Sequence, residues 1–260
     1  VTIDDATFSA PRSLSVRLAT CEEDIRNAQR LRYQVFFRER GALAETASHD
    51  CGLDQDPYDP VCDHLLVEDQ AGAAPRLVGT YRLLRQSVAA GRGGFYSAGE
   101  YDIDAVTGAG GEALELGRSC VAPAYRDAGT IQMLWRGIAS YLQRYSVSTL
   151  FGCASFHGVD PDEHADTLSY LAHNHLAPAD LRVRALDARY VEMSRLPIGG
   201  YDARAAMRKL PPLIKGYLRV GAMVGEGAVI DHQFNTIDIF MVMPVERIGA
   251  RYLGRFGAAA

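Results

Sequence analysis

Two charged side chains interrupt the apolar run LELGRSCVAP at 114–123: Glu115 and Arg118. A carboxylate can take a proton from an amine, and a guanidinium can bind a carboxylate through paired N–H donors. Strand side chains alternate faces with period two, so residues three apart point to opposite sides. One inserted residue would bring both to the same face, and Gly117 between them is the residue type that tolerates such a bulge. A bulge also frees a backbone N–H for a ligand oxygen. A structural ion pair at a strand end is the competing reading.

More groups of the same kind lie upstream: Arg32 and Phe36 on a helical stretch, Asp56 and Asp59 in DPYD, and Arg82 in TYRLL. With Glu115 and Arg118 they make three carboxylates and three guanidiniums. A pocket for an amino acid needs both kinds, although each alone reads as a surface salt bridge. Downstream, 114–131 reads as strand, turn, helix. A turn that opens a helix presents free N–H groups and the positive end of the helix dipole, which suits phosphate. The turn runs Arg126, Asp127, Ala128, Gly129, Thr130, Ile131. It resembles the pyrophosphate loop of GNAT-class acyltransferases, Arg or Gln followed by Gly-x-Gly-x-Gly/Ala. Here Arg126 and Gly129 remain, while Asp127 and Ile131 replace glycines. Such a loop suits coenzyme A poorly and still accommodates the single phosphate of a carrier-protein pantetheine arm. Ser155 and His157 lie outside any G-x-S-x-G elbow. His173 and His175 lack a metal-ligand set, and no metal is expected. Cys120 is not needed as a nucleophile if an amine attacks directly.

The elements that must position these groups follow from periodicity. Strands are predicted at 13–19, 64–69, 76–84, 113–121, 148–155, 189–194 and 236–243, and helices at 21–39, 128–144 and 163–174. A further helix begins after Pro211, and a short basic helix closes the chain near 246–255. Thr20 with Glu23 reads as a capping box, and Gly41 as a helix stop. Two long loops, 41–62 and 86–104, carry Asp, Gly, Pro and Tyr. The mixture of strands and helices indicates an α/β (α+β) domain over 13–260, after a loose polar arm at 1–12.

Of the 260 residues, 48% are hydrophobic and 23% charged, the composition of an ordinary globular protein. No apolar run approaches the roughly 18 residues of a membrane span. The polar, acidic start is unlike a signal peptide. Five cysteines without a C-x-x-C fit a reduced, cytoplasmic setting. The net charge of −5 is uneven. Residues 1–120 hold twelve basic against nineteen acidic residues, whereas 181–219 holds nine against three. That basic stretch includes Arg182, Arg184, Arg208, Lys209, Lys215 and Arg219, and it points to an acidic partner. No nucleic-acid motif is present.

The set Arg32, Val35, Phe36, Asp56, Asp59, Arg82, Glu115 and Arg118 resembles the pattern of the acyl-homoserine-lactone autoinducer synthases. The Trp usual after their first helix is missing from RERGALAE, which argues against S-adenosylmethionine as acceptor. A closer resemblance runs through LRYQVFFRERGA, DPYDPVCDHLLV, ELGRSCVAPAYR, LFGCASFHG and LPPLIKGYLRVGAMVGEGAVIDHQFNTIDIFMVM. These segments look like the bacterial L-ornithine Nα-acyltransferases of ornithine-lipid synthesis.

That resemblance implies a GNAT-like mixed, twisted sheet with helices on both faces and splayed central strands at 113–121 and 148–155. It implies transfer of a 3-hydroxyacyl chain from acyl carrier protein to the α-amine of ornithine, giving lyso-ornithine lipid, with no bound cofactor. Glu115 would then be the base, assisted by Arg118 and Arg82, which would also bind the amino acid's carboxylate. A backbone N–H near Gly117 would serve the oxyanion. Asp56 and Asp59 would hold a cationic side chain, and Phe36 would border the acyl chain. The 181–219 stretch would dock the carrier protein. A lipophilic product, with Arg247, Arg251 and Arg255 near the C-terminus, is compatible with peripheral contact at the inner membrane. The alternatives are a coenzyme A-dependent N-acetyltransferase, an autoinducer-type synthase with another acceptor, and a non-catalytic adaptor for carrier protein or membrane.

Overall fold

The computed structural model describes residues 12–43 and 51–248. The predicted N-terminal arm and most of the predicted C-terminal helix lie outside them. Among the described residues, nine strands form one sheet: β1 (Leu14–Leu18), β2 (Asp63–Asp69), β3 (Arg76–Arg85), β4 (Tyr101–Asp102), β5 (Glu112–Val121), β6 (Val147–His157), β7 (Arg184–Ala185), β8 (Met223–Asp231) and β9 (Thr236–Pro244). Their order is β1-β2-β3-β5-β6-β9-β8-β7-β4. The β5–β6 and β7–β8 pairs are parallel and the others antiparallel.

The helices are α1 (Glu22–Tyr33), the single turns α2 (Gln86–Ala89) and α3 (Asp104–Thr107), α4 (Ala128–Tyr145), α5 (Ala165–Asn174), α6 (Ala203–Lys209) and α7 (Pro212–Arg219). No described helix is long and apolar enough to cross a membrane. On one face of the sheet, Leu83, Leu114, Leu116, Ala154, Ile239 and Met241 join Leu134 and Ile138 of α4, Leu168 and Leu171 of α5, and Ile214 of α7 in a continuous core. Gly137 lets α4 approach closely, since a Cβ there would stand 2.6 Å from Leu65 and 2.7 Å from Val16. α1 packs on the opposite face, over β3 and β5. A smaller apolar cluster, including Phe95, Tyr101, Phe151 and Phe240, covers the rest of that face. The predicted layering is therefore present.

β5 and β6 pair only from Glu112–Val147 to Glu115–Phe151. Beyond that point β5 continues along β3 and β6 along β9. The two central strands thus fork, as predicted. An apolar cleft at the fork is lined by Leu116, Leu150, Gly152, Cys153, Tyr217 and Met241, among others.

Several predicted elements differ. Helix α1 ends at Tyr33 and the chain continues as a π-helix over Gln34–Glu39. Thr20 does not cap it: Cys21 is the N-cap, and Thr20 donates its N–H and hydroxyl to Asp24. The predicted strand at 189–194 is reduced to one bridge, Val191 to Ala228. Beside that bridge the Tyr190 ring packs on Gly227, where a Cβ would stand 2.5 Å from it. β8 and α6 were not predicted. At 245–247 the chain makes a single 3-10 turn.

Candidate active site

Register places the polar groups on one face. Arg82 pairs with Gly117 and Leu84 with Glu115 across β3–β5, Glu115 with Phe151 across β5–β6, and Ser155 with Asp238 across β6–β9. With alternation, Arg82, Glu115, Cys153, Ser155 and Asp238 all project to the side opposite the main core. The predicted bulge is present: β5 places two residues, Arg118 and Ser119, opposite Tyr81 alone. The left-handed residue is Arg118, at φ 50°, rather than Gly117. Glu115 and Arg118 consequently share a face, although the two are not bonded to each other.

Glu115 is buried and held by the loop before β4. Its carboxylate accepts the N–H groups of Tyr96 and Ser97, at 3.0 and 2.7 Å, and the Ser97 hydroxyl at 2.5 Å. The three arginines are held by aspartates. Arg32 donates to Asp54 (2.7 Å) and Asp59 (2.8 Å), and Arg82 to Asp56 (2.6 Å) and Asp59 (3.1 Å). Arg118 donates to Asp56 (3.1 Å) and lies 3.4 Å from Asp54. Its guanidinium is sandwiched, 4.8 Å from the Tyr96 ring centroid and 4.5 Å from that of Phe234. Phe36 meets the other side of this wall, edge-on to Phe234 at 5.9 Å.

Burial alone would push the Asp59 carboxyl up, but the bonds and charge of Arg32 and Arg82 outweigh it and hold it well below the carboxylate range. Burial likewise opposes the charge of Arg118, and the neighbouring Asp54, Tyr96 and Asp56 restore it. Asp56 and Asp59 are thus engaged by the chain's own arginines. Asp54 completes this lattice and escaped the sequence reading, because it lies just outside the DPYD motif.

The turn before α4 is closed by its own groups. Arg126 grips the carboxylate of Glu39 with both terminal nitrogens, at 2.5 and 2.6 Å. Asp127 caps α4, accepting the N–H of Thr130 at 3.0 Å, and is paired with Arg12. A Cβ on Gly129 would stand 3.2 Å from the Asp127 carboxylate. The N–H groups that glycines would offer a pyrophosphate therefore face a fixed negative charge.

The basic stretch is divided. Arg184 lies on β7, paired with Asp187 and Glu226, and Arg182 donates to Ala177. Lys209 is on α6, paired with Asp166. Arg208 and Arg219 are exposed on α6 and α7, and Lys215 bonds the carbonyl of Arg208.

Burial pushes the Cys120 thiol up to about 12, which removes it as a nucleophile at neutral pH. His173 is bonded to Tyr201 and Ser194, and His175 to Tyr170. One cluster went unpredicted: Glu100, Cys153 and Asp238 converge, with one side-chain donor atom from each lying within 4.8 Å of the others. Burial first, and then Asp238, raises the Glu100 carboxyl to about 7. Lone acids carry no sequence signal; the β6–β9 register brings Cys153 and Asp238 near each other, and the segment before β4 adds Glu100.

Residues 31–136 match the acetyltransferase (GNAT) domain family. The chain is 48% identical over 253 residues to the L-ornithine N(alpha)-acyltransferase of Brucella abortus (strain 2308), covering 95% of this chain and 90% of that protein. It is 44% identical over 262 residues to the enzyme of the same name from Agrobacterium fabrum, covering 99% and 89%. Among solved structures, the CoA-dependent acyl-homoserine lactone synthase BjaI, with SAM and isopentyl-CoA, superposes with a TM-score of 0.55 at 13% identity, covering 95% of this chain and 92% of that one. The N-acyl amino acid synthase FeeM, from uncultured soil microbes, gives 0.52 at 11% identity, covering 91% and 93%. These two show the shared fold. The near full-length identity shows that the chain belongs to the L-ornithine Nα-acyltransferase family.

Proposed function

We propose that this acyltransferase moves a 3-hydroxyacyl chain from the pantetheine thioester of acyl carrier protein to the α-amine of ornithine, producing lyso-ornithine lipid. The observation that carries the reading is the position of Glu115, a buried carboxylate at the last paired position before the strands fork. The donor's thioester lies in the fork and the amine approaches from the polar face. Glu115 takes the ammonium proton, directly or through water. The nitrogen attacks the carbonyl carbon, the C–S bond breaks, and the pantetheine thiol leaves with a proton. A backbone N–H at the Arg118–Ser119 bulge, beside Gly117, receives the oxyanion. Arg118, stacked between two rings, keeps guanidinium donors for the acceptor's carboxylate.

Asp127 on the α4 N-terminus supports a donor with one phosphate over coenzyme A, whose pyrophosphate would meet that carboxylate. The exposed basic residues of α6 and α7 suit an acidic carrier, and docking there weakens as salt rises. The test offers purified protein 3-hydroxyacyl carrier protein, unsubstituted acyl carrier protein and acyl-coenzyme A, each with a panel of amino acids. Mass spectrometry reads the products. N-acyl ornithine from carrier-protein donors alone is expected. Equal use of acyl-coenzyme A would remove the donor assignment, and a different preferred acceptor would remove ornithine.

A further inference from the structure

Ornithine differs from most amino acids in carrying a second ammonium, and DPYD, the motif expected to hold it, is occupied by Arg82, Arg32 and Arg118. The unpredicted cluster has what that ammonium requires. Glu100 is 3% exposed and Asp238 7%. One oxygen of Asp238, Oδ1, is buried with no hydrogen-bond partner among the described residues. The counter-charges at hand are Arg189 at the rim, 3.3 Å from the other side of Glu100, and Arg118, whose charge acts on Asp238. Arg189 is half-exposed and Arg118 is already engaged by Asp54 and Asp56, so the two buried carboxylates remain short of positive charge, which favours a cationic occupant.

The cluster also lies where the acceptor's far end must reach. Ser97 donates its hydroxyl to Glu115 at 2.5 Å, the Cys153 sulfur is 3.8 Å from that hydroxyl, and the same sulfur is 3.5 Å from Glu100. Three contacts thus join Glu115 to the cluster along one face of the sheet. The two nitrogens of ornithine are five bonds apart, about 6 Å when extended. Allowing about 3 Å from each nitrogen to its carboxylate spans that separation. Cys153 also lines the cleft at the fork, so the cluster borders the space assigned to the donor.

The geometry points to Glu100 and Asp238 as the subsite for the acceptor's side-chain ammonium, making them determinants of specificity for a diamino acid. This rests on the acyltransfer reading above. With the α-amine at Glu115 and the second ammonium between Glu100 and Asp238, a neutral acceptor leaves Asp238 Oδ1 without a partner and Glu100 with Arg189 as its cation. A divalent metal fits less well. Cys153, Glu100 and Asp238 supply three donors among the described residues, where a closed zinc site takes four. Burial and the charge of Glu100 also hold the thiol protonated.

The experiment compares wild type with Glu100→Gln and Asp238→Asn, using ornithine and 2-aminopentanoate, which has the same carbon chain without the second ammonium. Two readouts are taken: the ratio of kcat/KM for the two acceptors, and calorimetric binding of ornithine without donor. Each variant is expected to lower the ornithine-to-aminopentanoate ratio by about tenfold or more and to weaken ornithine binding. A proportional loss for both acceptors, or no change in the ratio, would overturn the subsite while leaving the acyltransfer reading intact. Ornithine binding that depends on both acids in a protein that transfers no acyl chain would uphold the subsite and sink the transfer reading. A wild type that neither acylates nor binds ornithine removes both. Preference lost after EDTA treatment and regained with Zn²⁺ would also overturn the proposal, in favour of a metal. Two variants at different positions protect the test against one that fails to fold.

Discussion

At the scale of single residues, Glu115 and its neighbours are fixed before any ligand arrives. Two backbone N–H groups and a hydroxyl hold the carboxylate. Glu115→Gln retains shape and one acceptor oxygen but removes the basic oxygen. Turnover with saturating donor and ornithine is expected to fall about 10²–10⁴-fold. Circular dichroism should show the fold retained; undiminished kcat would take Glu115 out of the mechanism. A second substitution tests the arginine lattice. Asp59→Ala leaves Arg32 buried without one of its two carboxylates. It should cost about 3–5 kcal/mol in urea unfolding, and a cost under about 1 kcal/mol would mean that Asp54 suffices. The meeting of Glu115 and Arg118 was legible because period two and one inserted residue leave few arrangements. Its exact form was not, since the bulge put the left-handed conformation on Arg118. What holds Arg118 there is non-local: Asp54, Asp56, Tyr96 and Phe234 come from three other segments.

Among the elements, the long strands with β-branched alternation and the amphipathic α4 were readable from periodicity alone. β8 was not. Its sequence MVGEGAVID carries Gly225 and Gly227, which break alternation where the strand bulges. A Cβ at Gly225 would stand 2.8 Å from the carbonyl of Val183. The fork itself has a comparable pivot in Gly152, the first β6 residue past the last β5 pairing. Its φ is 154°, and a Cβ there would lie 2.2 Å from the Leu116 carbonyl oxygen. That oxygen is backbone and cannot rotate away. Gly152→Ala must therefore push β5 and β6 apart at the crotch of the cleft. The expected cost is about 2–4 kcal/mol in urea unfolding, with catalysis impaired in the fraction that folds. Stability within about 0.5 kcal/mol of wild type would show that the fork opens freely and that the close approach has no structural role.

The whole molecule is a sheet with unlike faces, one packed under α4, α5 and α7, the other carrying nearly all the buried charge. That asymmetry makes stability depend on pH. Burial and Asp238 raise the Glu100 carboxyl from 4.5 to about 7. Between those values the folded chain holds a proton that the unfolded chain has released. The contribution of Glu100 is thus full below about pH 4.5 and lost as pH rises through about 7, with a slope of at most about 1.4 kcal/mol per pH unit. Asp238, also raised by burial, acts in the same direction. His64, lowered by burial, acts in the opposite one. Asp231, Cys153 and Arg189 are the other charged or titratable groups acting on Glu100. Because these overlap, the informative quantity is a difference between wild type and Glu100→Gln. Denaturant unfolding at about pH 5 and about pH 8 should show the variant gaining stability relative to wild type at the higher pH. A parallel pH dependence in the two proteins would place the raised carboxyl elsewhere. If an ammonium occupies the cluster, ornithine should oppose the loss, because a bound cation favours the ionised carboxylates. The ligand-induced rise in Tm is then larger at about pH 8 than at about pH 5, and an equal rise at both would leave the buried acids uncoupled from the acceptor.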